Sequence, residues 1–206
     1  MNVAVLVPVK AFTHAKQRLA PVLSPDERRR LAQTLAEGVL AASSDLPRFV
    51  VCDDDQVREW AEAHGATALW TAELGLNGAV DDGVRSIAAL GFDHVIVSHA
   101  DLPLPTSLTG IARPDTATFV PDTVRDGTNV MSFPLDQPIS AAYGSGSFER
   151  HCVAARIAGL PVEVRADPHL ALDVDVAADL AHPLLREVLP PWLPTIPVNH
   201  FTHPDR

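Results

Sequence analysis

The sequence predicts an α/β fold: a mostly parallel central sheet with helices on both faces and a mixed C-terminal part. Three observations predict it. Short apolar runs at Val3–Val9, Phe49–Cys52, Thr67–Trp70 and Val95–Val97 alternate with stretches of helical spacing and short connections. The runs at Val3–Val9 and Val95–Val97 are continuous rather than alternating, as in strands covered on both sides. The run through Val97 stops at a lone carboxylate, Asp101, and in an open α/β sheet ligands bind at the carboxyl ends of the strands.

Taken in order, Val3–Val9 is the first, buried strand, and the loop after it carries Lys10, Lys16 and Arg18. Ser24-Pro25-Asp26-Glu27 starts a helix: Ser caps it, Pro fills the first helical position, and Glu closes a capping box. Leu31, Leu35 and Val39 then share a face, and Arg28–Arg30 read as the solvated side. Phe49–Cys52 is a second strand that runs into Asp53-Asp54-Asp55. That triplet suits a metal or a helix cap. The helical spacing of Val57, Trp60 and Ala61, ended by Gly65, favours the cap. Thr67–Trp70 is a short third strand, and Gly75-Leu76-Asn77-Gly78 opens a helix with Val80, Val84 and Ile87 inward.

His94–Pro103 reads as a central strand that Pro103 bars from continuing past Asp101. Beyond Pro105 the pattern is less regular. Thr118–Pro121 and Thr128–Phe133 read as strands, and Tyr143–Ser147 as a Gly- and Ser-rich turn feeding a helix with Phe148, Cys152 and Ala155 on one face. Val162–Arg165 and Leu170–Asp173 read as short strands, with Asp173-Val174-Asp175 closing the core. The expected division is a domain over residues 1–181 and a proline-rich extension over 182–206. The extension reads as a short helix and an irregular tail, suited to packing on a partner subunit in a homodimer.

Composition narrows the function. A net charge of −10 argues against a nucleic-acid partner, which needs a basic footprint, but not against one triphosphate. No apolar run approaches the roughly 18 residues of a membrane span, and no basic-then-apolar leader opens the chain. Cys52 and Cys152 are too few and too far apart for a disulfide framework or zinc site, which fits a cytoplasmic location. Of 16 basic residues all but Lys10 and Lys16 are arginine, and both lysines fall in one loop.

Three constellations could carry chemistry. Asp101, Asp173 and Asp175 could hold Mg²⁺, which takes one or two protein carboxylates and completes its shell with phosphates and water. Residues 173 and 175 alternate, so both could face one ion; the alternative is that they cap a strand and a helix beginning near Val176. Lys10, Lys16 and Arg18 suit phosphates, although the loop has neither a GxGxxG nor a Walker A pattern and could simply be solvated. Gly144–Ser147 at a helix start, with Asp126-Gly127-Thr128-Asn129 upstream, could bind an anion, or be no more than a cap and a turn.

Together these residues resemble a known family. Val7–Lys10, Lys16–Ser24, Gly75–Asn77, Asp101–Pro103, Gly127–Asn129, Gly144–Phe148 and Leu172–Asp175 occur in order, as in the 2-phospho-L-lactate/phosphoenolpyruvate guanylyltransferases of coenzyme F(420) biosynthesis. The likeness covers about Val3–Leu180. It implies a Rossmann-related nucleotidyltransferase fold akin to glycosyltransferase type A, and a GTP-dependent transfer of GMP to a small phosphorylated carboxylic acid. It also implies Mg²⁺ on Asp101, Asp173 and Asp175, and substrate contacts at Thr128, Gly144 and Ser147. Lys10, Lys16 and Arg18 would then serve as catalytic and nucleotide-binding groups together with Asp101, and Asn77 would lie near the nucleotide. Two departures stand out: His99-Ala100 precede Asp101 where glycine is frequent, and Val176-Ala177 replace a usual Thr-Pro.

The expected reaction is in-line attack by the acceptor's phosphate on the α-phosphorus of GTP, releasing pyrophosphate. A phosphate dianion is already nucleophilic, so no general base is required. Phosphoenolpyruvate is the first acceptor expected, then 2-phospho-L-lactate. 3-Phosphoglycerate, another nucleotide or acceptor, and a non-catalytic regulatory role are the alternatives.

Overall fold

The computed structural model describes residues 1–72, 75–185 and 188–193. Among them, β1 (Val3–Pro8), β2 (Arg48–Cys52), β3 (Thr67–Trp70), β4 (His94–Ser98), β5 (Ala117–Pro121), β6 (Thr128–Pro134) and β7 (Val162–Val164) form one sheet. The order is β3-β2-β1-β4-β6-β5-β7. The first four strands run parallel, β6 lies antiparallel to β4 and β5, and β7 is parallel to β5. The predicted class and its mixed C-terminal part are therefore both present.

Alternate residues of each strand face opposite sides. Val5, Val7, Val50 and Ile96 pack under α1 (Pro25–Ala42) and α2 (Asp55–Ala63). Leu6, Val51, Val95 and Val97 pack under α3 (Gly75–Ala89) and α4 (Ser147–Ile157). Gly83 lets α3 lie close to β1, since a Cβ there would sit 2.8 Å from Leu6 Cδ2. The capping box of α1 forms as predicted, with Glu27 N–H donating to Ser24 Oγ and Ser24 N–H to Glu27. Asp54 caps α2 by accepting from Val57 N–H, so the acidic triplet is a cap.

Three expectations fail. Leu170–Asp173 is not a strand: Asp167 Oδ1 takes the N–H groups of His169 and Leu170, turning the chain where a ladder would need them. No helix begins near Val176. Asp179 accepts the N–H groups of Asp175 and Val176, and only a three-residue 3-10 turn, Asp179–Ala181, follows. Arg28 is buried rather than solvated, because its guanidinium donates to the Leu23 carbonyl.

A third cluster closes the C-terminal edge. Leu19, Leu23, Leu31 and Leu35 meet Leu172, Val174, Leu180 and Leu185, with Leu189, Trp192 and Leu193 against them. Arg30 lies 4.5 Å over the Trp192 ring. The first part of the proline-rich extension thus packs on this chain's own α1, and residues 194–206 lie outside the described residues.

Candidate active site

Beyond the carboxyl ends of β1 and β4 lies a cleft of about 430 Å³, lined by Lys10, Lys16, Arg18, His99, Asp101 and Asp175 among others. A smaller space of about 40 Å³ shares Pro8, Val9, Lys10 and Leu76 with it and reaches Asp53 and Thr71.

The basic loop is anchored at both ends. Phe12 meets the Trp60 ring edge-on at 5.0 Å, and Leu19 is fully buried in the third cluster. Between them Lys16 adopts a left-handed backbone, φ 54°, a conformation that costs a non-glycine residue about 1–2 kcal/mol. The side chain turns inward, 8% exposed, and its ammonium lies 2.6 Å from Asp101 Oδ2. Arg18 reaches Asp175 Oδ2 at the same distance, with both side chains largely open to solvent. Lys10 is exposed at the cleft and has no ion pair among the described residues.

Asp101 is therefore placed where the sequence put it, but with a cation already on it. Its Oδ1 is buried without a hydrogen-bond partner, and His99 Nδ1 stands 3.9 Å away. Burial pushes the Asp101 carboxyl up, Lys16 and His99 pull it down, and the balance lies below the ordinary carboxylate range. Although Leu170–Asp173 is no strand, alternation persists: Leu172 and Val174 are buried, while Asp173 and Asp175 are partly exposed. Val174 N–H donates to the Asp101 carbonyl, tying this segment to β4. Burial, then Asp101 and Asp179, push the Asp173 carboxyl up to about 7. Among the described residues no three His, Cys, Asp or Glu side chains are yet arranged to hold a metal. Lys16 and Arg18 engage two of the three carboxylates in question.

The other half of the site is neutral. Thr128, at the start of β6, is 1% exposed, and its Oγ1 lies 2.9 Å from His151 Nδ1. Ala142 N–H donates to His151 Nε2 at 2.9 Å, so Nε2 carries no proton. The ring proton must sit on Nδ1 and be donated to Thr128 Oγ1, so the threonine's own proton is left for another acceptor. Burial first, then Arg150 and His99, hold the His151 pKa down at about 4.

The loop before α4 is clamped from three sides. Asn77 grips the Tyr143 peptide through both its amide oxygen (2.7 Å) and nitrogen (3.4 Å). Arg150 donates to the carbonyls of Ala142, Gly144 and Ser145. Asp126 accepts from Gly146 N–H and Ser145 Oγ. Gly144 at φ 116° and Gly146 at φ 72° take conformations that suit glycine. Ser147 N–H donates to Gly144 O, while Thr128 meets His151. The Tyr143 ring lies 4.9 Å from His99 and 5.0 Å from His151, joining the two halves.

Residue types alone did not nominate His99, Tyr143, Arg150 or His151. One signal was available: His151 follows Ser147 by four residues and so shares its helix face.

The fold is one found in nucleotidyltransferases. A solved nucleotidyl transferase from Methanothermobacter thermautotrophicus superposes with a TM-score of 0.62 at 14% identity, covering 87% of this chain and 94% of that one. The family model described as "Guanylyl transferase CofC like" matches residues 3–187, and the chain belongs to that guanylyltransferase family. It is 35% identical to the phosphoenolpyruvate guanylyltransferase of Sphaerobacter thermophilus, over 87% of this chain and 91% of the relative. It is 33% identical to the 2-phospho-L-lactate guanylyltransferase of M. thermautotrophicus, over 90% and 85%.

Proposed function

We propose that the enzyme transfers GMP from GTP to the phosphate of phosphoenolpyruvate or 2-phospho-L-lactate, releasing pyrophosphate, as a cytoplasmic step in coenzyme F(420) biosynthesis. The relatives named for these two acceptors support the substrate class. Phosphoenolpyruvate is placed first because it names the relative with the higher identity of the two. Among the described residues no helix is long and apolar enough to cross a membrane, and both cysteines are free and buried.

The observation that carries the reading is one cleft at the strand ends that gathers the cations Lys10, Lys16 and Arg18 with the carboxylates Asp101 and Asp175. In the reaction an acceptor phosphate oxygen forms a bond to the α-phosphorus as the bond to the bridging oxygen breaks, and pyrophosphate leaves with that electron pair. Lys10, Lys16 and Arg18 would bind the polyphosphate and offset the charge that builds on it. Thr128, Gly144 and Ser147 would hold the acceptor's carboxylate. Asn77 would act near the nucleotide by fixing the Tyr143 peptide.

Mg²⁺ fits the acidic residues. One Asp101 oxygen is buried with no partner, and burial, with Asp101 and Asp179 nearby, pushes the Asp173 carboxyl up. Asp101, Asp173 and Asp175 would hold the ion, which when bound would supply charge neutralisation on the phosphates. Positioning and electrostatics then suffice without a general base.

The test is pyrophosphate release from each of the four nucleoside triphosphates, with phosphoenolpyruvate, 2-phospho-L-lactate and 3-phosphoglycerate in turn. Release only with GTP and one of the first two acids is the expected result. Preference for another nucleotide, or for 3-phosphoglycerate, would overturn it.

A further inference from the structure

The Lys16–Asp101 pair joins two groups that the proposed chemistry assigns to different partners. Lys16 should bind phosphate and Asp101 a divalent cation, yet the two bind each other at 2.6 Å. The same holds one step along, where Arg18 takes Asp175. We propose that the Lys16 ammonium occupies the divalent cation's place on Asp101 until nucleotide arrives, so that the cation enters with the polyphosphate and not before it. The inference rests on the reading that these carboxylates hold the ion.

The physical case is one of charge exchange. A bare divalent cation approaching Asp101 meets an ammonium already seated there, and like charges a few ångströms apart in a partly buried site repel strongly. Arg18 adds to this more weakly, since its pair is exposed and screened. A polyphosphate offers both basic side chains a replacement anion. Every charge stays paired through the exchange, and Asp101 is released to the metal.

Three features favour Lys16 as the exchanging group. Its loop is pinned at Phe12 and Leu19, so residues between them can shift without disturbing the core. Its left-handed backbone stores strain that release from Asp101 would relax. It is a lysine in a chain whose other basic residues, Lys10 excepted, are arginine. A lysine makes a single-point contact, whereas an arginine could fork onto both carboxylate oxygens and leave none exchangeable.

The test is Mn²⁺ binding to the nucleotide-free protein, read from the free-ion signal in electron paramagnetic resonance. Lys16→Met should bind Mn²⁺ at least about tenfold more tightly than the wild type. Lys16→Arg, which keeps the charge, should bind as weakly as the wild type. Lys16→Met/Asp101→Asn should lose the gain, placing the ion on Asp101. Circular dichroism checks each fold, and Lys16→Gln replaces Lys16→Met if that variant unfolds. Equal affinity of Lys16→Met and wild type would overturn the proposal, as would a gain in Lys16→Arg matching that of Lys16→Met. Failure of the underlying metal reading looks different: the wild type would then release pyrophosphate undiminished after chelation of divalent ions, which removes both.

Discussion

At the ends of β1 and β4 the site's side chains are charged, paired with one another and partly open to solvent. At β6 and α4, Thr128, Ser147 and His151 are neutral and buried. Lys16, Arg18, Asp101 and Asp175 make contacts that a phosphate or a cation can replace one for one. Thr128 and His151 make contacts that nothing in solution could replace without leaving a buried donor or acceptor orphaned. Under the proposed function the difference is a division of labour: the parallel half would rearrange around a polyphosphate, and the antiparallel half would present fixed donors to a small acid.

The largest expected effect comes from the charged half. Asp101→Asn should cut the rate of pyrophosphate release on the order of a thousandfold while leaving the melting curve near that of the wild type. Near-normal release would break the comparison, because Asp101 would then be one more ion-pair partner. In the neutral half the consequence is structural first. His151→Ala empties a fully buried position and orphans the Ala142 N–H, so urea denaturation should show a loss of about 2–4 kcal/mol. Lys10→Ala, exposed and unpaired, should change stability by less than about 0.5 kcal/mol.

Acid should sharpen the contrast next. His94 and His151 both have folded-state pKa values held down at about 4, chiefly by burial, against an unfolded value near 6.5. The unfolded chain therefore takes up protons that the folded one refuses. Their contribution is complete above about pH 6.5 and is lost as pH falls toward 4. Melting temperature should drop across that window, and His151→Gln should flatten the drop. The smallest effect lies outside both halves: Ser24→Ala removes the α1 cap at a cost of about 1 kcal/mol, with no change in either Michaelis constant.

Much of the parallel half was readable in the sequence, because local signals determine it. Continuous apolar runs marked β1 and β4, Ser24–Glu27 marked the start of α1, and a lone carboxylate before a proline marked the cleft. The alternation of Asp173 and Asp175 with buried neighbours is present without the strand expected to produce it. They alternate with Leu172 and Val174 in an extended segment whose ladder Asp167 prevents from forming.

What stayed hidden is long-range. The Lys16–Asp101 pair spans 85 residues and depends on a left-handed backbone at a lysine, which residue type disfavours. The tautomer of His151 is set by Ala142 and Thr128 on separate elements, and Asn77 meets the Tyr143 backbone 66 residues away. Arg28 read as solvent-facing because its partner is a backbone carbonyl, invisible in a charge pattern.

The measurement that tests the division of labour most directly is two-substrate steady-state kinetics on Lys10→Ala and Thr128→Val, with Thr128→Ser as the control that keeps the hydroxyl. The account predicts that Lys10→Ala raises KM for GTP and leaves that for the acid. Thr128→Val should raise KM for the acid by about tenfold and leave that for GTP, with Thr128→Ser near the wild type. Both variants moving the same Michaelis constant would contradict it.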